Sequence, residues 1–76
     1  MSKLPRVTAH KIIRALERAG FVAIRQRGSH VFMQHADGRS TVVSVHKGED
    51  IGVGLLRKIL RDVEMEPNEF QKLLRG

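Results

Sequence analysis

Apolar positions along the chain recur in two rhythms, and each predicts a different element. Ile12, Ile13 and Leu16, with Ala9 and Ala19, fall three and four apart, which gathers them on one face of a helix. Thr8 stands where a hydroxyl accepts an orphan N–H of a first turn, and Gly20 suits the left-handed residue that closes a helix. The spacing therefore predicts a helix from Thr8 to about Ala19, with Pro5 ahead of it. Another face of that helix carries Lys11, Arg14 and Arg18, also three and four apart, a basic stripe of a kind that lies along a phosphate backbone.

The rhythm then changes. Phe21 to Gln26 is rich in β-branched and aromatic residues between two glycines and reads as a strand. His30 to His35 reads as a second strand after the break at Gly28, and Thr41 to His46 as a third. Asp37-Gly38 between the last two is the strongest local hairpin signal, so the three strands form an antiparallel meander. The polar, glycine-rich KGEDIGVG reads as a connector, with Glu49 and Asp50 placed where a following helix dipole favours acids. Leu55, Leu56, Ile59, Leu60 and Val63 mark a second amphipathic helix that begins near Gly52 to Gly54. Pro67 fits the first position of a short last helix whose Phe70, Leu73 and Leu74 fold back on the core.

The order is α-β-β-β-α with a short α appended. Two single-faced helices and one small sheet make a two-layer α+β domain: a three-stranded antiparallel sheet with helices on one face and the other face open to a partner. Residues 1–76 are expected to be one domain, since the chain is near the lower end of what buries a self-sufficient core. There is no internal repeat or low-complexity tract.

Composition narrows the chemistry. A 41% hydrophobic and 29% charged content is ordinary for a globular chain. With no cysteine there is no disulfide, thiolate nucleophile or cysteine-based zinc site. The N-terminus lacks the apolar core of a signal peptide, and no apolar run approaches the roughly 20 residues of a membrane span, so a soluble cytoplasmic protein is expected. The net charge of +6 is unevenly placed: residues 1 to 27 carry seven bases against one acid, while the rest balances. All the excess positive charge lies before Gly28, which points to a polyanion, nucleic acid first and an acidic protein second.

Candidate chemistry gathers between Arg25 and His35. The imidazole of His30 can take and give a proton near neutral pH, as cleavage of RNA by its own 2′-hydroxyl requires, and Arg25 and Arg27 can neutralise charge building on phosphoryl oxygens. Gly28 allows close backbone approach, and Ser29 can orient a phosphate or the imidazole. Such a reaction needs no metal and no other cofactor. Each residue has a plainer reading: a strand histidine is commonly structural, and a serine beside a glycine commonly shapes a turn. Ser29 and His30 are adjacent on a strand and point apart, so no Ser-His-Asp triad is read here. His30 and His35 differ by an odd number, which sets them on opposite faces and argues against zinc; His46, ending the third strand, could approach His30 across the sheet. The glycines of KGEDIGVG lack the Lys-Ser/Thr of a Walker loop.

The string GSHVFMQHADG, followed by VVSVHKGEDIGVGLLRKILRDVEMEPNEFQKLL, resembles the HicA (YcfA-like) family of small mRNA interferase toxins of bacterial toxin-antitoxin pairs. The resemblance spans nearly the whole chain: the Gly20-Phe21 step after the first helix, the Gly-Ser-His corner, Val43-x-Val45-His46, and Leu56-Arg57-x-Ile59-Leu60. It implies a fold like that of double-stranded-RNA-binding domains, ribosome-independent cleavage of messenger RNA, a single essential histidine falling on His30, and a HicB-type antitoxin that covers the active surface. The chain departs from the family pattern at Val31, where members often carry a second histidine, and at Leu55, where they often carry threonine. Two other classes fit the same residues. One is an RNA-binding module without catalysis that recognises helical RNA by shape. The other is a domain that only pairs with an acidic protein.

Overall fold

The structure, a computed structural model, describes Leu4 and residues 6–76; Pro5, expected ahead of the first helix, lies outside the described residues. Within them the chain runs β1 (Val7–Thr8), α1 (Ala9–Arg18), β2 (Phe21–Arg27), β3 (His30–His35), β4 (Ser40–Ser44), β5 (Asp50–Ile51), α2 (Val53–Asp62) and α3 (Pro67–Arg75). β2, β3 and β4 form the antiparallel meander in that spatial order. The α-β-β-β-α order with an appended helix is the one the periodicity predicts. No helix among the described residues is long and apolar enough to cross a membrane.

Local chemistry sets the helix ends. The Thr8 hydroxyl accepts the Lys11 backbone N–H at 3.4 Å and caps α1. Beyond the other end Gly20 takes φ +99°, which turns the chain into β2. α2 starts after Gly52, which offers no side-chain cap, and α3 has Pro67 in its first turn as expected.

One core joins the layers. Met33 and Val43 from the inner face of the sheet, and Phe21 from β2, meet Ile12 and Leu16 of α1, Leu56 and Ile59 of α2 and Phe70 of α3, all essentially without exposure. Burying each such side chain contributes about 1.5–3 kcal/mol, so truncating Leu16 to alanine is a change that could unfold so small a domain. Ile13 and Ala19, expected on the buried face, only border the core, and Ala15 is buried in their place. Leu55 differs from expectation outright. It is 38% exposed, because Leu56, Ile59, Leu60 and Val63 already complete the stripe that faces the sheet.

The segment expected to be a plain connector contains β5, which pairs antiparallel with β1 through Val7↔Ile51 and Thr8↔Asp50. Val7 and Ile51 are both buried, so this short ladder closes one edge of the core. Asp50 consequently sits in a strand pair opposite the α1 cap, and the first turn of α2 holds no acid. β4 ends at Ser44, two residues short of His46.

Candidate functional site

Side chains on β3 alternate strictly. Val31 and Met33 are buried against the helices, whereas His30, Phe32 and Gln34 point to the outer face. β4 matches it, with Thr41 and Val43 buried and Ser40, Val42 and Ser44 facing out. Val31, the position where a second histidine is common in the resembling family, is thus a core residue here.

β2 would break this order but for a bulge. Phe21 points into the core, so regular alternation would send Arg25 and Arg27 inward as well. The register shifts between Ala23 and Arg25: Ala23 pairs with Met33, Arg25 with Phe32, and Ile24 is the extra residue. After that shift Arg25 stands opposite Phe32 and Arg27 opposite His30, both on the outer face. The bulge absorbs the extra residue and so keeps two guanidinium groups outward. The period-two reading of FVAIRQ had no means of seeing it, and Ile24 is the positioning residue it missed; the only trace in sequence is an apolar residue out of phase with Phe21.

The hairpin tip is tight. Gly28 and Ser29 are its two central residues, with Arg27 and His30 as the closing pair. Gly28 has φ +56° while Ser29 stays at negative φ, the pattern of a II′ turn, whose twist suits a two-residue hairpin. A side chain at Gly28 would meet nothing within 4 Å, so open space surrounds the tip. The Gln26 side-chain amide donates to the Gly28 carbonyl at 3.1 Å, and the Ser29 carbonyl accepts the Val45 N–H at 2.6 Å, which fixes the tip to the end of β4.

The outer face therefore carries two adjacent rows, Arg27–His30–Ser44 and Arg25–Phe32–Val42. His30 is exposed, and its side chain forms no hydrogen bond or ion pair with another described residue. The Arg25 guanidinium lies 4.7 Å over the Phe32 ring. No carboxylate occupies either row. The arrangement offers an exposed proton-transfer group with two cations along one side, on an open surface. His46, exposed and past the end of β4, does not share a register pair with His30, whose partner is Ser44.

The second basic group lies elsewhere. Lys11, Arg14 and Arg18 line a groove of about 320 Å³ with Val7 and Leu74, on the helix layer behind the sheet. Arg18 is committed there, because its guanidinium donates to the Leu73 carbonyl at 2.6 Å and so satisfies an orphan acceptor at the end of α3. Arg25, Arg27 and His30 are brought together by the fold; Lys11, Arg14 and Arg18 are not brought to them.

His35 closes the other end of β3 and faces inward. Its ring packs edge-on to Phe21 at 5.1 Å, and its Nδ1 accepts the Asp37 backbone N–H at 3.1 Å. An Asp37 carboxylate oxygen lies 3.1 Å from the same nitrogen, a contact that becomes an ion pair only in the imidazolium. Backbone and guanidinium donors of Arg39 hold the Asp37 carboxyl below the usual carboxylate range.

Residues 9–65 match the family described as the HicA toxin of bacterial toxin-antitoxin pairs. No curated protein shows a significant match to the chain.

Proposed function

Because the chain belongs to the HicA toxin family of bacterial toxin-antitoxin pairs, we propose that its open sheet face is an endoribonuclease site that cuts messenger RNA in the cytoplasm and that a HicB-type antitoxin silences by covering it. The observation that carries this reading is the bulge at Ile24, which turns Arg25 and Arg27 outward beside the exposed His30. The imidazole takes the proton of a ribose 2′-hydroxyl, and the freed oxygen attacks the adjacent phosphorus. Arg27 and Arg25 donate to the non-bridging oxygens as charge builds on them. The bond to the 5′-oxygen then breaks, and solvent at this open face protonates the leaving oxygen. The route requires no metal or other cofactor. Gly28 and Ser29 support it by fixing the closing pair of the hairpin and leaving room for the RNA backbone. Lys11, Arg14 and Arg18, on the helix layer, add long-range attraction for the polyanion.

The test is to incubate purified wild type and His30→Ala with a long single-stranded RNA in excess EDTA and to read products on a denaturing gel. Cleavage by wild type alone is expected. Cleavage by a folded His30→Ala protein removes His30 from the chemistry. A second reading, an RNA-binding module without catalysis, draws on the neighbours of His30 in its row, Arg27 and Ser44, which offer no second imidazole or carboxylate for the leaving group. Intact RNA with both proteins, together with salt-sensitive binding, would favour it.

A further inference from the structure

The chain has three phenylalanines and neither tryptophan nor tyrosine. Phe21 and Phe70 are buried in the core. Phe32 is half-buried on the outer face instead, in the row next to that of His30. Arg25 covers part of its ring. Beside it opens a shallow groove of about 370 Å³ whose lining includes Ile24, Phe32, Gln34, Ser40 and Val42, but not Arg25. Val22, paired with Gln34, and Ile24 are 61% and 58% exposed, so apolar surface extends across this part of the sheet. Asp62 at the groove is already engaged, accepting from Lys58 at 3.2 Å and from the Thr41 hydroxyl at 3.0 Å.

The outer face is thus divided. A cationic row with a proton-transfer group sits at the hairpin tip, and an apolar patch with one aromatic ring lies next to it, edged by an amide and a hydroxyl. We propose that the groove is a base-binding subsite for single-stranded RNA: one nucleobase stacks on Phe32 with its polar edge toward Gln34 and Ser40, while its phosphate lies along Arg25 and Arg27 beside His30. This deepens the ribonuclease reading and rests on it for the identity of the polyanion. Residues two apart on a strand are separated by about 6.6 Å. His30 and Phe32 are so placed, a separation suited to one nucleotide of an extended strand. A single strand offers both an anionic backbone and bare π-faces, which match the two halves of this surface. A duplex hides its bases and would leave the apolar half uncovered.

The experiment measures binding of a short labelled single-stranded 2′-O-methyl RNA, which lacks the nucleophile and survives intact. Phe32→Leu keeps apolar bulk and removes the aromatic face, whereas Phe32→Tyr keeps that face. We expect Phe32→Leu to bind roughly tenfold more weakly, as loss of one base–aromatic stack implies, and Phe32→Tyr to bind as wild type does. An abasic strand of the same length should not distinguish wild type from Phe32→Leu. Equal affinity of Phe32→Leu and wild type for the base-containing strand overturns the subsite, as does duplex RNA bound as tightly as the single strand. Unchanged RNA binding with weakened antitoxin binding also overturns it and assigns the patch to protein pairing. The two readings fail separately. A wild type that loses affinity on Phe32→Leu but cleaves no 2′-hydroxyl RNA keeps the subsite and loses the nuclease; normal cleavage with Phe32-independent binding does the reverse.

Discussion

The two ends of β3 begin with the same residue types and finish in opposite states. Each end has a histidine with an arginine across or beside it: His30 with Arg27 at one hairpin, His35 with Arg39 at the other. His35 and Arg39 are fully occupied. Asp37 contacts both side chains, Arg39 lies 5.1 Å over the Phe21 ring, and its guanidinium donates to the Val63 carbonyl at the end of α2 at 2.6 Å. His30 and Arg27 have no such ties. Two differences produce the contrast. The odd separation along β3 puts the histidines on opposite faces, and only the second turn contains an acid. A carboxylate in the turn converts a histidine and an arginine into structure, and its absence at Gly28-Ser29 leaves the same groups free for a ligand.

The strongest way to break the contrast is to strip the cations from the free end. With Arg25 and Arg27 both replaced by alanine, RNA cleavage should fall by roughly a hundredfold with His30 untouched, read as the initial rate on a labelled RNA. Gly20→Ala strikes the structural end. At φ +99° its new Cβ would stand 2.9 Å from His35 Nε2, so denaturant unfolding should show a loss of about 2 kcal/mol while cleavage per folded molecule is retained. Arg27→Ala should weaken RNA binding about tenfold and lower the slope of log K against log salt by about 0.7, the value for one phosphate contact on a single strand.

The smallest effect concerns Asp37. Its carboxyl is held below the usual range by the Arg39 backbone N–H and guanidinium, so it contributes stability that is present above its unfolded value of about 3.9 and is lost as pH falls through the lower folded value. Asp37→Asn keeps an acceptor for the Arg39 N–H and removes the charge. Wild type should be slightly more stable than this variant at neutral pH, and the difference should disappear in strong acid; a gap that persists there would assign the effect to geometry instead.

Much of the fold was legible because it rests on local rules. The Thr8 cap, the Gly20 stop, Pro67 at a helix start and the strict alternation of β3 each follow from one residue or one period. Asp37-Gly38 did mark a hairpin, though one whose turn spans His35 to Gly38, closed by the Gly38 N–H donating to the His35 carbonyl at 2.9 Å. What stayed hidden depends on partners distant in sequence. The β1–β5 ladder has two residues per strand, too few for any periodicity, and Thr8 serves it while also capping α1. The role of Arg18 at the end of α3 requires knowing that the chain returns after 55 residues. The candidate site was legible in its residue types, but the bulge that turns Arg25 and Arg27 outward exists only in the pairing with β3.

The central claim is that two histidines five residues apart divide function from structure, and cleavage of a single-stranded RNA by His30→Ala and His35→Ala, compared side by side and normalised to folded protein, tests it most directly. The account predicts that His30→Ala loses cleavage at unchanged unfolding stability, and that His35→Ala unfolds more easily yet cleaves normally once folded. Cleavage surviving in His30→Ala, or vanishing in folded His35→Ala, would contradict it.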